Sequence, residues 1–271
     1  MSYPAANVLN YMIGKGKVYF DRHDANGVST GELHLGNDPV FAETPTVEVL
    51  DHFSSMEGIK KKDLSVNLSV GITLKFTLDE ISIANLNLAL QGDGIKYITQ
   101  VAGNQVNEPI TSHIGKYIKL SRRKLTAGTV NVTNVAGTIT YIEGVDYEVD
   151  YTTGRILIII GGTIAENQTL HIDYGYDAYT IPVIKPMTNT KVEGLLRFVG
   201  NCTHGPNYDS VFWRVKLQAS GDINFISDDW AQMEFTAEVL DDSINHPDSP
   251  YGEHYDPEIG TGSYAPQPIE S

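Results

Sequence analysis

The chain has 271 residues and carries 34 acidic against 19 basic side chains, a formal charge of −15. Such a surface repels nucleic-acid phosphates and excludes a conventional nucleic-acid binder. Cys202 is the only cysteine, which rules out an intrachain disulfide and a cysteine-based zinc cluster and fits a reducing compartment. The length allows one large domain or two modest ones, each with a hydrophobic core.

The opening Met1-Ser-Tyr-Pro-Ala-Ala-Asn has no basic segment leading into an apolar run, so no signal peptide is expected. Lys15–Asp21 reads as a strand that ends in Asp24-Ala25-Asn26-Gly27. Asn-Gly favours the positive φ of a hairpin turn, and Glu32–Leu35 would return. Val47–Asp51 reads as another short strand. From Leu64 to Leu78 every even position is apolar, with Gly71 and small or polar residues between. A period of two sends one set to a core and the other to a polar environment, and a bulge near Gly71 is expected to bend so long a run.

One helix is expected, over Ile83–Leu90. Ser82 caps it, Ile83, Leu86 and Leu90 form its apolar stripe, and Gly92 and Gly94 end it. Residues 101–182 change character and become rich in Val, Ile, Thr and Tyr. Strands at Tyr117–Leu120, Gly128–Val132, Glu148–Tyr151, Arg155–Ile160 and Thr169–Tyr174 alternate with glycine-containing turns. The longest apolar run, Ile156–Ile160, is too short to span a bilayer. Val192–Val199, Val211–Leu217 and Trp230–Leu240 are three further strands. After Ser243 no apolar period remains, and an extended or flexible arm is expected over 244–271. The expected fold is thus all-β with one flanking α-helix, divided into 1–100, an inserted β-domain at 101–182, a second core segment at 183–243, and the arm.

Motifs that suggest chemistry have plainer readings. Asp51-His52-Phe53-Ser54-Ser55 contains the residue types of a hydrolytic triad, but neighbours on a strand point to opposite faces. Lys60-Lys61-Lys62-Asp63 suits a solvated turn or a charge partner for a neighbouring subunit better than a nucleic-acid patch in so acidic a chain. His246, Asp248, Glu253, His254 and Asp256 lack the scaffold that holds metal ligands in place. Gly14-x-Gly16 is followed by no helix and is not a dinucleotide fingerprint. Tyr141, Tyr147, Tyr151, Tyr174, Tyr176 and Tyr179 could stack on sugars, but read first as strand-forming packing residues. No catalytic, cofactor or metal site is expected.

Several phrases carry a resemblance. Gly14-Lys-Gly-Lys-Val-Tyr-Phe-Asp21, Gly31-Glu-Leu-His-Leu-Gly-Asn37 and Leu50-Asp-His-Phe-Ser-Ser-Met-Glu-Gly-Ile-Lys60 resemble the opening of the major tail tube proteins of long-tailed, siphovirus-like bacteriophages. The helix and the closing stretches Leu196–Asn201, Gly205-Pro-Asn207 and Trp230–Leu240 fall where that family places its own. The match covers about the first hundred residues and about 190–242; residues 101–182 depart from it. The resemblance implies a β-sandwich or barrel-like core, assembled as homo-hexameric rings that stack into a tube. Contractile-tail and type VI secretion tubes share that architecture. It implies as partners further copies of the chain, the tape measure, tail terminator and distal tail proteins, and double-stranded DNA in transit without specific binding. Assembly would occur in the host bacterial cytoplasm and the product would reside in the virion tail, with no membrane insertion and no cofactor. The alternative is a β-sandwich binding module whose insert recognises carbohydrate or a cell surface.

Within the resemblance, two surfaces are assigned. Ser65, Asn67, Ser69, Thr73 and Lys75 of one strand, with Gln232, Glu234, Thr236 and Glu238 of another, would line the channel, Lys75 pairing with a nearby acid. The even positions of the first strand and the odd positions of the second would pack inward against the helix. Residues 51–63, with Asp51, Phe53, Met56, Ile59, Lys60, Lys61 and Lys62, would form a loop or extended hairpin reaching an adjacent subunit.

Overall fold

The computed structural model describes residues 11–56 and 58–256. Strands dominate and one helix is present among them. The chain forms β1 (Gly16–His23), β2 (Ser29–His34), β3 (Val40–Ser54), β4 (Lys61–Leu78) and α1 (Ile83–Ala89). It continues through β5 (Lys96–Gln100), β6 (Gly103–Thr111), β7 (Tyr117–Lys119), β8 (Asn131–Asn134), β9 (Tyr147–Asp150), β10 (Arg155–Ile158), β11 (Thr169–Tyr176) and β12 (Tyr179–Val183). It closes with β13 (Glu193–Gly200), β14 (Asp209–Ala219), β15 (Met233–Val239) and β16 (Gly252–Tyr255). Two compact units result: the described residues up to Ile95 together with those from Ile184 onward, and Lys96–Val183.

The first unit is one antiparallel sheet in the order β2-β1-β13-β14-β15-β4-β3. Along its far edge β14 pairs first with β16, through Asp209–Phe212, and then with β15, through Val215–Ala219. The segment after Ser243 therefore contributes a strand, and the expected arm is docked as far as Asp256; residues 257–271 lie outside the described ones. Phe41 of β3 stacks on Phe198 of β13, with centroids 4.9 Å apart. Three strands separate these two in the sheet order, so the sheet curls over on itself around the core. Inside lie Val18, Phe20, Leu74, Phe76, Leu196 and Phe235, all essentially inaccessible. Phe76 and Phe235, neighbours on β4 and β15, stack at 5.1 Å. Phe235→Ala is expected to cost about 3–5 kcal/mol, through lost transfer energy and a residual cavity. Phe225→Ala, in an exposed loop, should stay within about 0.5 kcal/mol of wild type. Both tryptophans, Trp213 and Trp230, lie in this unit, so denaturant unfolding followed by tryptophan fluorescence measures it selectively. Equal costs for the two variants would contradict this core.

The helix differs from its expected form. Ser82 does cap it, its side chain accepting from the Asn85 N–H at 3.1 Å. The helix ends at Ala89, and its buried residues include Asn85, Leu88 and Ala89, whereas Ile83 is exposed. The stripe is rotated because Asn85 is pulled inward, donating to the Leu35 and Glu80 carbonyls at 2.7 and 3.0 Å. The left-handed residue after the helix is Gln91, φ +51°. Gly92 matters for space instead: a Cβ there would meet the Asn87 side chain at 2.2 Å.

In the second unit, β11 is flanked by β6 and β8, β10 by β7 and β9, and β5 pairs with β12. The last pairing puts the entry and exit of the chain side by side, Gln100 opposite Tyr179 and Lys96 opposite Val183. The core includes Leu120, Val132, Ile156, Leu170 and Ile172 with Tyr141, Tyr147 and Tyr174. Three of the tyrosines thus pack, as their β-propensity suggests. Burial pushes the Tyr147 and Tyr174 hydroxyls up to about 12. The turn between β9 and β10 needs Gly154: φ is +68° and an added Cβ would lie 1.9 Å from the Arg122 carbonyl oxygen.

Candidate functional site

The most distinctive surface is a two-stranded ribbon. β3 and β4 stay paired from Val40–Thr77 out to Ser54–Lys61, whereas β15 pairs with β4 only over Ile72–Leu78. Beyond Ile72 the hairpin runs on with no third strand among the described residues. Its register shifts twice, leaving Leu68 and Asp63 without partners opposite an unbroken β3. Directly paired residues share a face, and a one-residue slip exchanges the faces. One face therefore carries Val47/Val70, Val49/Asn67, Asp51/Ser65 and Phe53/Lys62. The other carries Glu48/Ser69, Leu50/Val66, His52/Leu64 and Ser54/Lys61. Side-chain bonds agree: Asp51 meets Lys62 at 2.6 Å and Ser65 at 2.8 Å, while Ser69 meets Glu48 at 3.2 Å. These contacts hold the Asp51 carboxyl below its ordinary range, the Lys62 ammonium first and the Ser65 hydroxyl second.

The even positions of β4 therefore divide. Leu74, Phe76 and Leu78 are buried, but Leu64, Val66, Leu68 and Val70 are about half exposed. The expectation that all of them pack against the helix fails for the outer half, because that half extends past the core and the slip at Leu68 turns its parity over. At the tip Met56 is 91% and Ile59 77% exposed, with Phe53 at 48%. The stretch 51–63 is an extended hairpin end, not a free loop. Asp51 and His52 point to opposite faces, and His52 bonds Asp63 at 2.6 Å, so no Ser/His/Asp constellation forms there.

The expected polar face is partly assembled. Thr73, Lys75 and Thr77 of β4 lie directly opposite Glu238, Thr236 and Glu234 of β15, on the side of the sheet away from the core. Ser69 shares that side, whereas the slip sends Ser65 and Asn67 to the other. Gln232 precedes β15 and is exposed. Lys75 forms no ion pair among the described residues, against expectation. Lys216 of β14 faces Glu238, so the surface is close to balanced in charge.

At the root of the ribbon sits Asp38. Its Oδ1 accepts from the backbone N–H groups of Val40 at 3.1 Å and Thr77 at 3.3 Å. Its Oδ2 is buried with no partner among the described residues. Burial pushes the carboxyl up to about 6, against those two donors. A raised folded-state value favours the fold fully below about pH 4 and loses that contribution as pH rises through about 6. Asp38→Asn is thus expected to gain about 1–2 kcal/mol over wild type at pH 8 and almost nothing at pH 4, discounting for residual solvent. Urea unfolding at the two pH values checks this; a gain equal at both would contradict it.

A second cluster was invisible in sequence because its members are far apart. His254 of β16 bonds the Ser210 hydroxyl through Nδ1 at 2.8 Å and the Glu43 carboxylate through Nε2 at 3.3 Å. It borders a cavity of about 270 Å3 walled by Phe41, Phe198 and Met12. Serine, histidine and carboxylate in sequence are the parts of a nucleophilic relay. Here Ser210 is buried at the start of β14, paired with Phe198 on one edge and His254 on the other. Ladder pairing on both edges occupies the backbone donors that an oxyanion would need. The arrangement fits a clasp that ties β16 to β14 and β3. Among the described residues no group of three or more His, Cys, Asp or Glu could hold a metal, and no helix is long and apolar enough to cross a membrane.

The model of the family described as Protein of unknown function UCP028589 matches residues 11–256. The chain belongs to that family. The match begins before β1 and ends after β16, so its bounds enclose both units. No curated protein matches the chain.

Proposed function

We propose that this family member is a structural protein that assembles with copies of itself into stacked rings, the tail tube of a long-tailed bacteriophage, through which DNA passes. The observation that carries the reading is the ribbon. It presents Val47, Val49, Leu50, Val66 and Leu68 to water on a hairpin that has no third strand among the described residues. Two-stranded hairpins are marginal alone, and exposed apolar clusters of this kind mark interaction surfaces. Among the described residues the sheet also ends in two unpaired edges, β2 and β3, which closed assembly would cover. The tube, its six-fold symmetry and its phage origin rest on the sequence resemblance. Absence of catalysis belongs to the same proposal, supported by the blocked geometry around Ser210.

Negative-stain imaging of the concentrated protein, with sedimentation across a dilution series, tests this. Rings or tubes are expected, and a monomer at every concentration counts against it. A second reading, glycan binding by Lys96–Val183, has one observation in its favour: a cavity of about 380 Å3 in that unit bordered by Tyr151, Tyr179 and Arg123. Saturable binding of an oligosaccharide, lost in Tyr179→Ala, would favour it.

A further inference from the structure

We infer that the tip of the β3–β4 ribbon docks on the β14–β15 loop of a second copy of this chain, head to tail. The inference deepens the assembly reading and rests on it for its biological meaning. Three observations carry it.

The first is the loop itself. Between Ala219 and Met233, Ile223 packs against the core while Phe225, Ile226 and Trp230 stand 74%, 97% and 94% exposed. Tryptophan so far in water is a costly surface unless something covers it, and aromatic groups of this kind anchor interfaces. The second is charge. The loop carries Asp222, Asp228 and Asp229 with no basic residue. By sequence residues 55–62 sum to +2 in a chain of −15; Lys60 and Lys61 stand at the ribbon tip, while Lys62 is held by Asp51 at 2.6 Å. The tip also offers exposed Met56, Ile59 and Phe53. Each patch is an apolar centre with a charged margin, of opposite sign, as complementary partners require.

The third is position. Met233, where the loop rejoins the sheet, lies opposite Leu78, the last residue of β4. The tip precedes Lys61, the first. The 18 residues of β4 separate them, roughly 55 Å at about 3.3 Å per residue. The patches therefore occupy opposite ends of one strand and cannot meet within a chain. A contact between these two patches either closes reciprocally into a two-fold pair or runs head to tail; the head-to-tail form, which the assembly reading takes, propagates into a closed ring or an open stack. An anionic membrane as occupant is disfavoured by the three aspartates beside Trp230.

The test pairs charge reversal with cross-linking. Lys60/Lys61/Lys62→Glu and Asp222/Asp228/Asp229→Lys should each weaken self-association on the order of tenfold or more by sedimentation. An equimolar mixture of the two variants should associate again, since every tip then finds a complementary loop. Independently, in a Cys202→Ser background, oxidising concentrated Met56→Cys/Ile226→Cys should give a ladder of dimers, trimers and larger species. Either cysteine alone should stop at dimers, and the aspartate reversal should abolish the ladder. Wild-type assembly with no loss in either reversal, or a double-cysteine chain that stops at dimers, overturns the docking while leaving the tube reading intact. Association of wild type into side-by-side dimers only would sink both.

Discussion

Replacing residues 53–62 with an Asn-Gly turn is expected to leave a folded protein that no longer forms rings or tubes. The substitution removes Phe53, Met56 and Ile59 together with the three lysines, but stops where His52 still lies opposite Leu64. With Asp63 retained, Asn-Gly-Asp63 forms a three-residue hairpin loop closed by the His52–Leu64 pair, a common connection in which glycine supplies the positive φ. None of the removed side chains belongs to the buried core, so tryptophan-monitored stability should stay within about 0.5 kcal/mol of wild type. Assembly should fall by orders of magnitude, because a contact centre is lost and not merely weakened. Normal tubes from this variant would remove the ribbon tip from the interface.

Glu234→Lys with Glu238→Lys is expected to preserve assembly and slow the passage of DNA. Both side chains lie on the polar face away from the core, opposite Thr77 and Thr73. Lys75 and Lys216 already offset them there, so the two changes move a balanced patch by four charges, to strongly positive. Each phosphate neutralised adds about 0.9 to the slope of log affinity against log salt. The delay should therefore be largest at low ionic strength and shrink as salt is raised. The readout is the rate of DNA release from virions carrying the variant. Release unchanged at low salt, or a ring structure placing this face outward, would refute the lining assignment.

The all-β character and the single capped helix were legible because alternation and capping are local. The even-position pattern of β4 identified a strand of the right length. It could not show that the core ends near Ile72, since Leu68 and Leu74 look alike in sequence. Pro45 hid the first half of β3: proline reads as a strand breaker, yet an edge strand tolerates it, and Pro45 lies opposite Ile72 on such an edge. β6 was missed for a related reason, carrying Pro109 and a left-handed Asn107. β16 has no apolar period and exists because β14 offers it a free edge. The Ser210, His254 and Glu43 cluster joins three strands and has no linear signature. Trp230 was expected to open the last strand, but β15 begins at Met233, and Trp230 stands with Phe225 and Ile226 in the exposed loop before it.

The unpaired residue at Leu68 has a consequence for solubility. With uninterrupted alternation, Leu64, Val66, Leu68 and Val70 would form one continuous greasy strip along the ribbon. A strip of that kind on a flat hairpin can be zipped by any passing strand in several registers, the route to amorphous or amyloid-like deposits. Slipping the parity once places Val70 on one face, followed there by Asn67 and Ser65, and Val66 on the other, beside Ser69. The twist that accompanies a bulge further spoils the flatness that stacking requires. Under the assembly proposed above, a freshly synthesised subunit would carry an arm that resists indiscriminate sticking before it meets a second copy.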